Sequence, residues 1–175
     1  MKISIQKCPV PVKTMLENYS YDGSYTDCYT TEVPGQVPLP EYTLAFYTTP
    51  LFQMERLILK LAVAKPSTDI QAGQLASGLR DHFAAWYVED RTESEILMCD
   101  FRGHTRSWLM VAPVPIKELP RTRLYFGSAV VPIRNAKTGK PELGRVYQSL
   151  LGFHKIYSIL LLYSAKLKVS SRKRD

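Results

Sequence analysis

Hydrophobic residues largely alternate with polar ones between residues 85 and 133, in four stretches separated by short links. A period of two places successive side chains on opposite faces of a sheet, so each stretch is predicted to be a β-strand. We expect these strands at 85–89, 95–101, 105–111 and 122–133. Links this short suit hairpins, since parallel strands need a crossover of about a dozen residues or more. The sequence therefore predicts an antiparallel meander.

A long amphipathic helix is predicted after the meander, at 143–168, because its apolar residues recur with helical spacing. Before the meander, the sequence predicts a strand at 25–33, a helix that begins at Pro40 and a second helix at 51–62. A further helical stripe begins at a capping-box pair, Thr68 and Gln71, and would continue to Phe83. The predicted fold class is α+β, with an antiparallel sheet wrapped around the C-terminal helix, in the order β-α-α-β-β-β-β-α.

The length of 175 residues predicts a single domain. We expect an N-terminal extension at 1–21, the domain at 22–168 and a flexible basic tail at 169–175. The formal net charge is +7, and about +4 of it falls in the last ten residues, where five Lys and Arg residues stand against Asp175. No stripe of basic residues interleaved with aromatics marks the rest of the chain, so we expect no specific nucleic-acid partner.

The three cysteines are not arranged as a metal site or as an evident disulfide framework. They include no CxxC pair, and no histidine follows them at zinc-finger spacing, so we expect reduced thiols and no cofactor or metal. The first twenty residues lack the apolar core of a signal peptide. The apolar run at 156–165 is about half the ~20 residues of a membrane-spanning helix. We therefore expect a cytoplasmic protein without a transmembrane segment.

Three stretches carry a resemblance to a known family: TRSWLMV at 105–111, LYFGSAVVPI at 124–133 and the closing FHKIYSILLLYSAKL. They look like a bacterial family of unknown function related to the START and polyketide-cyclase (SRPBCC, helix-grip) superfamily. The resemblance implies a sheet that grips the long C-terminal helix and a pocket between the two. It implies no catalytic residues, and the five predicted strands are fewer than the seven or so of a full helix-grip sheet.

The candidate ligand-binding residues follow from the strand register and the helical stripe. A turn at Arg102 and Gly103 places Cys99 opposite Arg106 and Leu97 opposite Trp108. A pocket wall of aromatic rings with a few polar groups suits a small molecule, and Arg106 would anchor an acidic or polar head. Alternatively, Arg106 and Trp108 belong to a solvent-facing sheet surface on which the arginine covers a ring. The candidates are Arg106, Trp108, Tyr125, His154 and Tyr157.

Three functions remain open from the sequence. The leading hypothesis is a binder of an apolar or lipid-like small molecule in a cavity between sheet and C-terminal helix. The first alternative is a cyclase, dehydratase or hydrolase in the same cavity, which needs Asp100 or His154 to face the ligand. No known catalytic motif occurs, and the register places Asp100 and His104 on opposite faces. The second alternative is membrane-surface association through residues 160–162 and the basic tail.

His82 is interpreted as a capping residue at a helix end.

Overall fold

A computed structural model describes residues 5–21, 23–64, 66–115, 119–134, 141–142 and 145–172. The strands are β1 (Gln6–Lys7), β2 (Tyr25–Pro34), β3 (His82–Phe83), β4 (Trp86–Arg91), β5 (Glu95–Asp100), β6 (Thr105–Val114), β7 (Arg121–Val130), β8 (Ile133–Arg134) and β9 (Pro141–Glu142). The helices are α1 (Leu39–Tyr47), α2 (Pro50–Val63), α3 (Asp69–Ala76) and α4 (Arg145–Arg172), and a 3-10 helix spans Met15–Ser20.

The α+β fold is built on an antiparallel sheet of seven strands in the order β1-β2-β7-β6-β5-β4-β3. Strands β4 to β7 form the predicted meander, and the predicted pairs of Cys99 with Arg106 and Leu97 with Trp108 are present. Gly103 adopts a φ of +73° in the β5–β6 turn, a conformation that glycine reaches without steric cost. Strand β2 pairs with β7 along its whole length. The first long strand therefore lies next to the last strand of the meander.

The order of elements differs from the predicted one where elements are short. Strands β1 and β3 have two residues each, too few to show a period of two. Helix α3 has the predicted capping box at Thr68 but ends at Ala76, because Gly78 follows with a φ of +77°. His82 therefore lies in β3 and is not a helix-capping residue. Helix α4 continues beyond the predicted end, to Arg172.

The two faces of the sheet are covered differently. One face packs against the helices, and the larger apolar cluster lies there, including Phe46, Ile96, Leu109 and Leu162. We call this the helix face. The other face, the outer face, is covered by residues 8–21 of the predicted N-terminal extension, and Leu16 of the 3-10 helix is fully buried against it. This stretch is further tied down by β1, whose ladder continues in the Cys8 N–H bond to the Cys28 carbonyl.

Helix α4 packs against β2, β7, α1 and α2. Leu161 and Leu162 are buried in the larger cluster, whereas Leu160 is 41% exposed. Two of the three leucines that membrane insertion would need are thus inside the protein, which contradicts that detail of the membrane alternative. No helix within the described part of the chain is long and apolar enough to cross a membrane.

Candidate functional site

The helix face of the sheet carries a row of small polar residues across three strands. Ser128 of β7 pairs with Asp27 of β2 on one side and with Ser107 of β6 on the other. Because cross-strand partners present their side chains on the same face, these three residues lie side by side. All three are buried, so they form a polar band within an otherwise apolar surface.

Helix α4 turns a second polar group of residues towards this band. His154, Tyr157, Ser158 and Leu161 have the spacing of one helical face. Ser158 is fully buried, and its hydroxyl makes no hydrogen bond with any of the described residues. A buried hydroxyl without a partner is costly, so Ser158 Oγ is a point at which a bound molecule would gain a hydrogen bond.

A cavity of about 280 Å³ lies between this helix face and the sheet. Its volume is close to the lower end of the ~300–1,000 Å³ typical of small-molecule sites. Most of its wall is apolar, and the polar side chains are distributed among α2, α4, β6 and β7. The apolar lining consists of Phe46, Phe52, Trp86, Phe126, Ala129, Val130 and Leu161. The polar lining includes Glu55, Thr105, Ser107, Ser128, His154, Tyr157 and Ser158.

At one end of the cavity, Ser128 links the buried carboxyl of Asp27 to the ring of His154. Ser128 Oγ donates to Asp27 Oδ1 at 2.6 Å and lies 2.8 Å from His154 Nε2. The same nitrogen is 3.6 Å from Asp27 Oδ2. Burial lowers the pKa of His154, although the nearby Asp27 opposes the shift, so the imidazole is mainly neutral at pH 7. In a Ser-His-Asp triad the histidine lies between the other two groups, whereas here the serine does.

On the helical wall, Glu55 of α2 and Tyr157 of α4 form a second polar pair. The Tyr157 hydroxyl donates to Glu55 Oε2. Burial raises the pKa of Glu55, and the bond from Tyr157 partly offsets that rise. Burial also raises the pKa of Tyr157, so its hydroxyl keeps its proton. The pair thus places a carboxyl group at the edge of an apolar cavity.

Aromatic rings form much of the apolar wall. The Phe46 ring packs against Phe126 with centroids 5.0 Å apart and against Phe52 with centroids 5.9 Å apart. Phe46 comes from α1, Phe52 from α2 and Phe126 from β7, so three elements contribute to one aromatic surface. Such a surface buries planar or apolar groups at small conformational cost.

The five candidate residues are divided between the two faces of the sheet. His154 and Tyr157 line the cavity. Trp108 and Tyr125 lie on the outer face, in the smaller cluster beneath the 3-10 helix, and the Trp108 ring nitrogen donates to Glu95. Arg106 contributes to the cavity lining, but its guanidinium binds Glu89 and the Tyr19 hydroxyl on the outer face.

Asp100, the other residue that the enzyme hypothesis needs, serves the β5–β6 turn. Its carboxylate accepts hydrogen bonds from the backbone N–H groups of Arg102, His104 and Thr105. These bonds hold the hairpin, and Asp100 is not among the cavity-lining residues. Of the two residues proposed for catalysis, only His154 therefore faces the cavity.

Glu55, Ser128 and Asp27 were not identified from the sequence. The apolar spacing on α2 favours a stripe through Met54, Ile58 and Leu61, yet these side chains are more than half exposed. The inward face carries Phe52, Glu55 and Arg56 instead. The spacing of Phe52, Glu55 and Arg56 could have indicated this face, but it includes two charged residues. The guanidinium of Arg56 is bound by Ser67 and Asp69, contacts that helical spacing does not reveal.

Comparison with known proteins leaves the chain without an assigned family. No protein-family model matches it, and no curated protein has a significantly similar sequence. Among the described residues, no group of three or more His, Cys, Asp or Glu side chains is placed to hold a metal ion. The three cysteines are free thiols. The case for a function therefore depends on the cavity.

Proposed function

We propose that this protein binds a small, mainly apolar molecule in the cavity between α2, α4 and the sheet. The observation that carries the proposal is the cavity itself, in which an aromatic wall faces a few convergent polar groups. This combination is the usual composition of small-molecule sites, where apolar walls supply affinity and sparse polar groups supply orientation. The volume of about 280 Å³ suits a compact molecule better than an extended lipid chain.

The helix-grip arrangement is part of the same proposal. Its support is the seven-stranded antiparallel sheet, the long C-terminal helix packed on β2 and β7, and a cavity between the two. In such an arrangement the helix closes the cavity on one side. The resemblance to the START and polyketide-cyclase superfamily is then one of architecture and pocket position.

Titration with indole, a neutral aromatic molecule, tests the binding proposal. We expect saturable heat release in calorimetry and a rise in the melting temperature with indole concentration. Ser158→Leu fills the cavity from α4 and is expected to abolish binding, while Ser171→Leu, on the exposed end of the same helix, leaves it unchanged. Equal binding by the wild type and Ser158→Leu, with both folded by circular dichroism, would place the site elsewhere.

A second candidate is acid–base catalysis of the cyclase, dehydratase or hydrolase kind in this cavity. It is supported by Glu55 and His154, two titratable groups on the wall whose pKa values are shifted by burial. A hydrolase that uses Ser128 as nucleophile has weaker support, because the Ser128 hydroxyl is already bonded to Asp27. Any activity found should be lost in Glu55→Gln or in His154→Asn. Unchanged activity in both variants would remove this candidate.

A further inference from the structure

The charged groups that a molecule in the cavity would meet are mainly carboxyl groups. Among the described residues, Glu55 supplies a carboxyl group to the lining, and the carboxyl of Asp27 lies directly behind Ser128. The cationic lining residue in that set is Arg106, whose guanidinium is bound on the outer face. The sequence-based idea that Arg106 anchors an acidic head is therefore not supported by its position.

The aromatic side chains of the wall also favour a cationic ligand over an anionic one. Phe46, Phe52, Phe126 and Trp86 line the cavity together with Tyr157. Aromatic faces carry a negative quadrupole that attracts organic cations, and the attraction grows when water is excluded. The wall thus combines a carboxyl group with rings in one small space.

A ligand carboxylate would meet the opposite conditions. It would lie in an apolar space near Glu55, where like charges disfavour each other's ionised form. His154 supplies no compensating charge at pH 7, since burial lowers its pKa. An ammonium group would instead gain charge-assisted hydrogen bonds, which are stronger than those between neutral groups.

We propose that the cavity selects a small organic amine, bound as its ammonium ion, with the nitrogen at the Glu55 carboxylate and the apolar part against Phe46 and Phe126. Tyr157 donates to Oε2 of that carboxylate, and we assign the ammonium to the other oxygen, Oε1. The inference rests on the proposed function, because it names the ligand class of the same cavity.

Three phenyl compounds of similar size separate charge from shape: 2-phenylethylamine, 2-phenylethanol and phenylacetate. Calorimetric titration of the wild type at pH 7.5 compares an ammonium, a neutral alcohol and a carboxylate on the same aromatic group. We expect the amine to bind about tenfold or more tightly than the alcohol, as a charge-assisted contact implies, and the carboxylate to bind most weakly.

The same substitution, Glu to Gln, at two positions then tests whether Glu55 is the source of the preference for the amine. Glu55→Gln should reduce the affinity for the amine to about that for the alcohol. Glu93→Gln, in the exposed β4–β5 turn, is the matched control and should leave the affinities for all three compounds unchanged. Tyr157→Phe keeps the carboxyl group and removes its internal donor, so this second variant should retain the preference for the amine.

The outcomes distinguish the two proposals. If the alcohol or the carboxylate binds as tightly as the amine, or if folded Glu55→Gln keeps the preference, the amine inference is overturned while ligand binding in the cavity stands. If indole and all three phenyl compounds fail to bind the wild type, the proposed function fails and the inference fails with it.

Discussion

At the scale of single residues, Gly127 shows how closely the N-terminal segment is fitted to the sheet. A Cβ at this position would lie 2.4 Å from Leu16 Cδ2 and 3.0 Å from both Trp108 Cε3 and the Asp27 carbonyl oxygen. Real Cβ atoms essentially never approach another atom as closely as the distance to Leu16, so this side chain would have to move. A glycine at this position leaves room for the N-terminal segment to pack directly on the sheet.

Gly127→Ala is therefore expected to lower the free energy of unfolding by about 1–3 kcal/mol, the usual cost of overpacking. Gly73→Ala, in α3 with no atom within 4 Å of the added Cβ, should instead raise it by up to about 1 kcal/mol through helix propensity. Urea unfolding of both variants measures the difference. A neutral Gly127→Ala would show that Leu16 does not lie against β7.

Glu55 is expected to make the stability of the protein depend on pH. Burial raises its pKa, so the folded protein keeps the proton at pH values where the unfolded chain, with a pKa of about 4.3, has lost it. Stability from this group is present below that pH and is lost as the pH rises through the folded pKa. Gln keeps the acceptor for Tyr157 but carries no charge.

Glu55→Gln should thus be more stable than the wild type at pH 7.5, with the advantage disappearing near pH 4. Chemical unfolding at the two pH values measures this, and Glu93→Gln provides the control without an effect. An advantage that is the same at both pH values would mean that ionisation of Glu55 is not its source.

Individual residues differ in how far the sequence reveals their roles. His154 and Tyr157 could be placed on one side of a helix by spacing alone, and the structure brings both to the cavity. Asp27 and Ser128 could not be connected, because their contact joins residues 101 positions apart. Such a contact exists only once β2 is known to pair with β7.

At the scale of elements, the 3-10 helix acts as part of the core. It covers the outer face of β7, and Glu95 accepts hydrogen bonds from both the Met15 backbone N–H and the Trp108 ring. Leu16 is fully buried there. The segment that the sequence suggests is an extension is therefore held by apolar contact and by hydrogen bonds.

Leu16→Ala is expected to cost about 2–5 kcal/mol of stability, as for other buried leucines. Leu79→Ala, at a leucine that is 82% exposed, should change stability by less than about 0.5 kcal/mol. Guanidinium unfolding compares the two. If the two variants lost nearly the same free energy of unfolding, the 3-10 helix would not contribute to the stability of the core.

The meander was predictable because its strands are long enough to show a period of two, and its β5–β6 turn contains a glycine at the required position. The same period could not say which face the helices cover. The register correctly paired Leu97 with Trp108, but both lie beneath the 3-10 helix. Deciding between the faces needed the position of α4, which periodicity within a strand does not contain.

At the scale of the whole molecule, the net charge of the chain does not describe the groups that line the cavity. The chain has a formal net charge of +7, while its cavity holds a carboxyl group among aromatic rings. The net charge is thus a poor guide to the ligand, because the charges that a bound molecule meets are those of a few inward-facing residues. A basic protein can in this way offer a site for a cation.

The most direct test of this account is a crystal structure of the protein with 2-phenylethylamine. We expect the phenyl ring between α4 and the sheet, against Phe46 and Phe126, and the nitrogen within hydrogen-bonding distance of the Glu55 carboxylate. A space between α4 and the sheet that is filled by side chains, or a ligand bound outside it, would contradict the account.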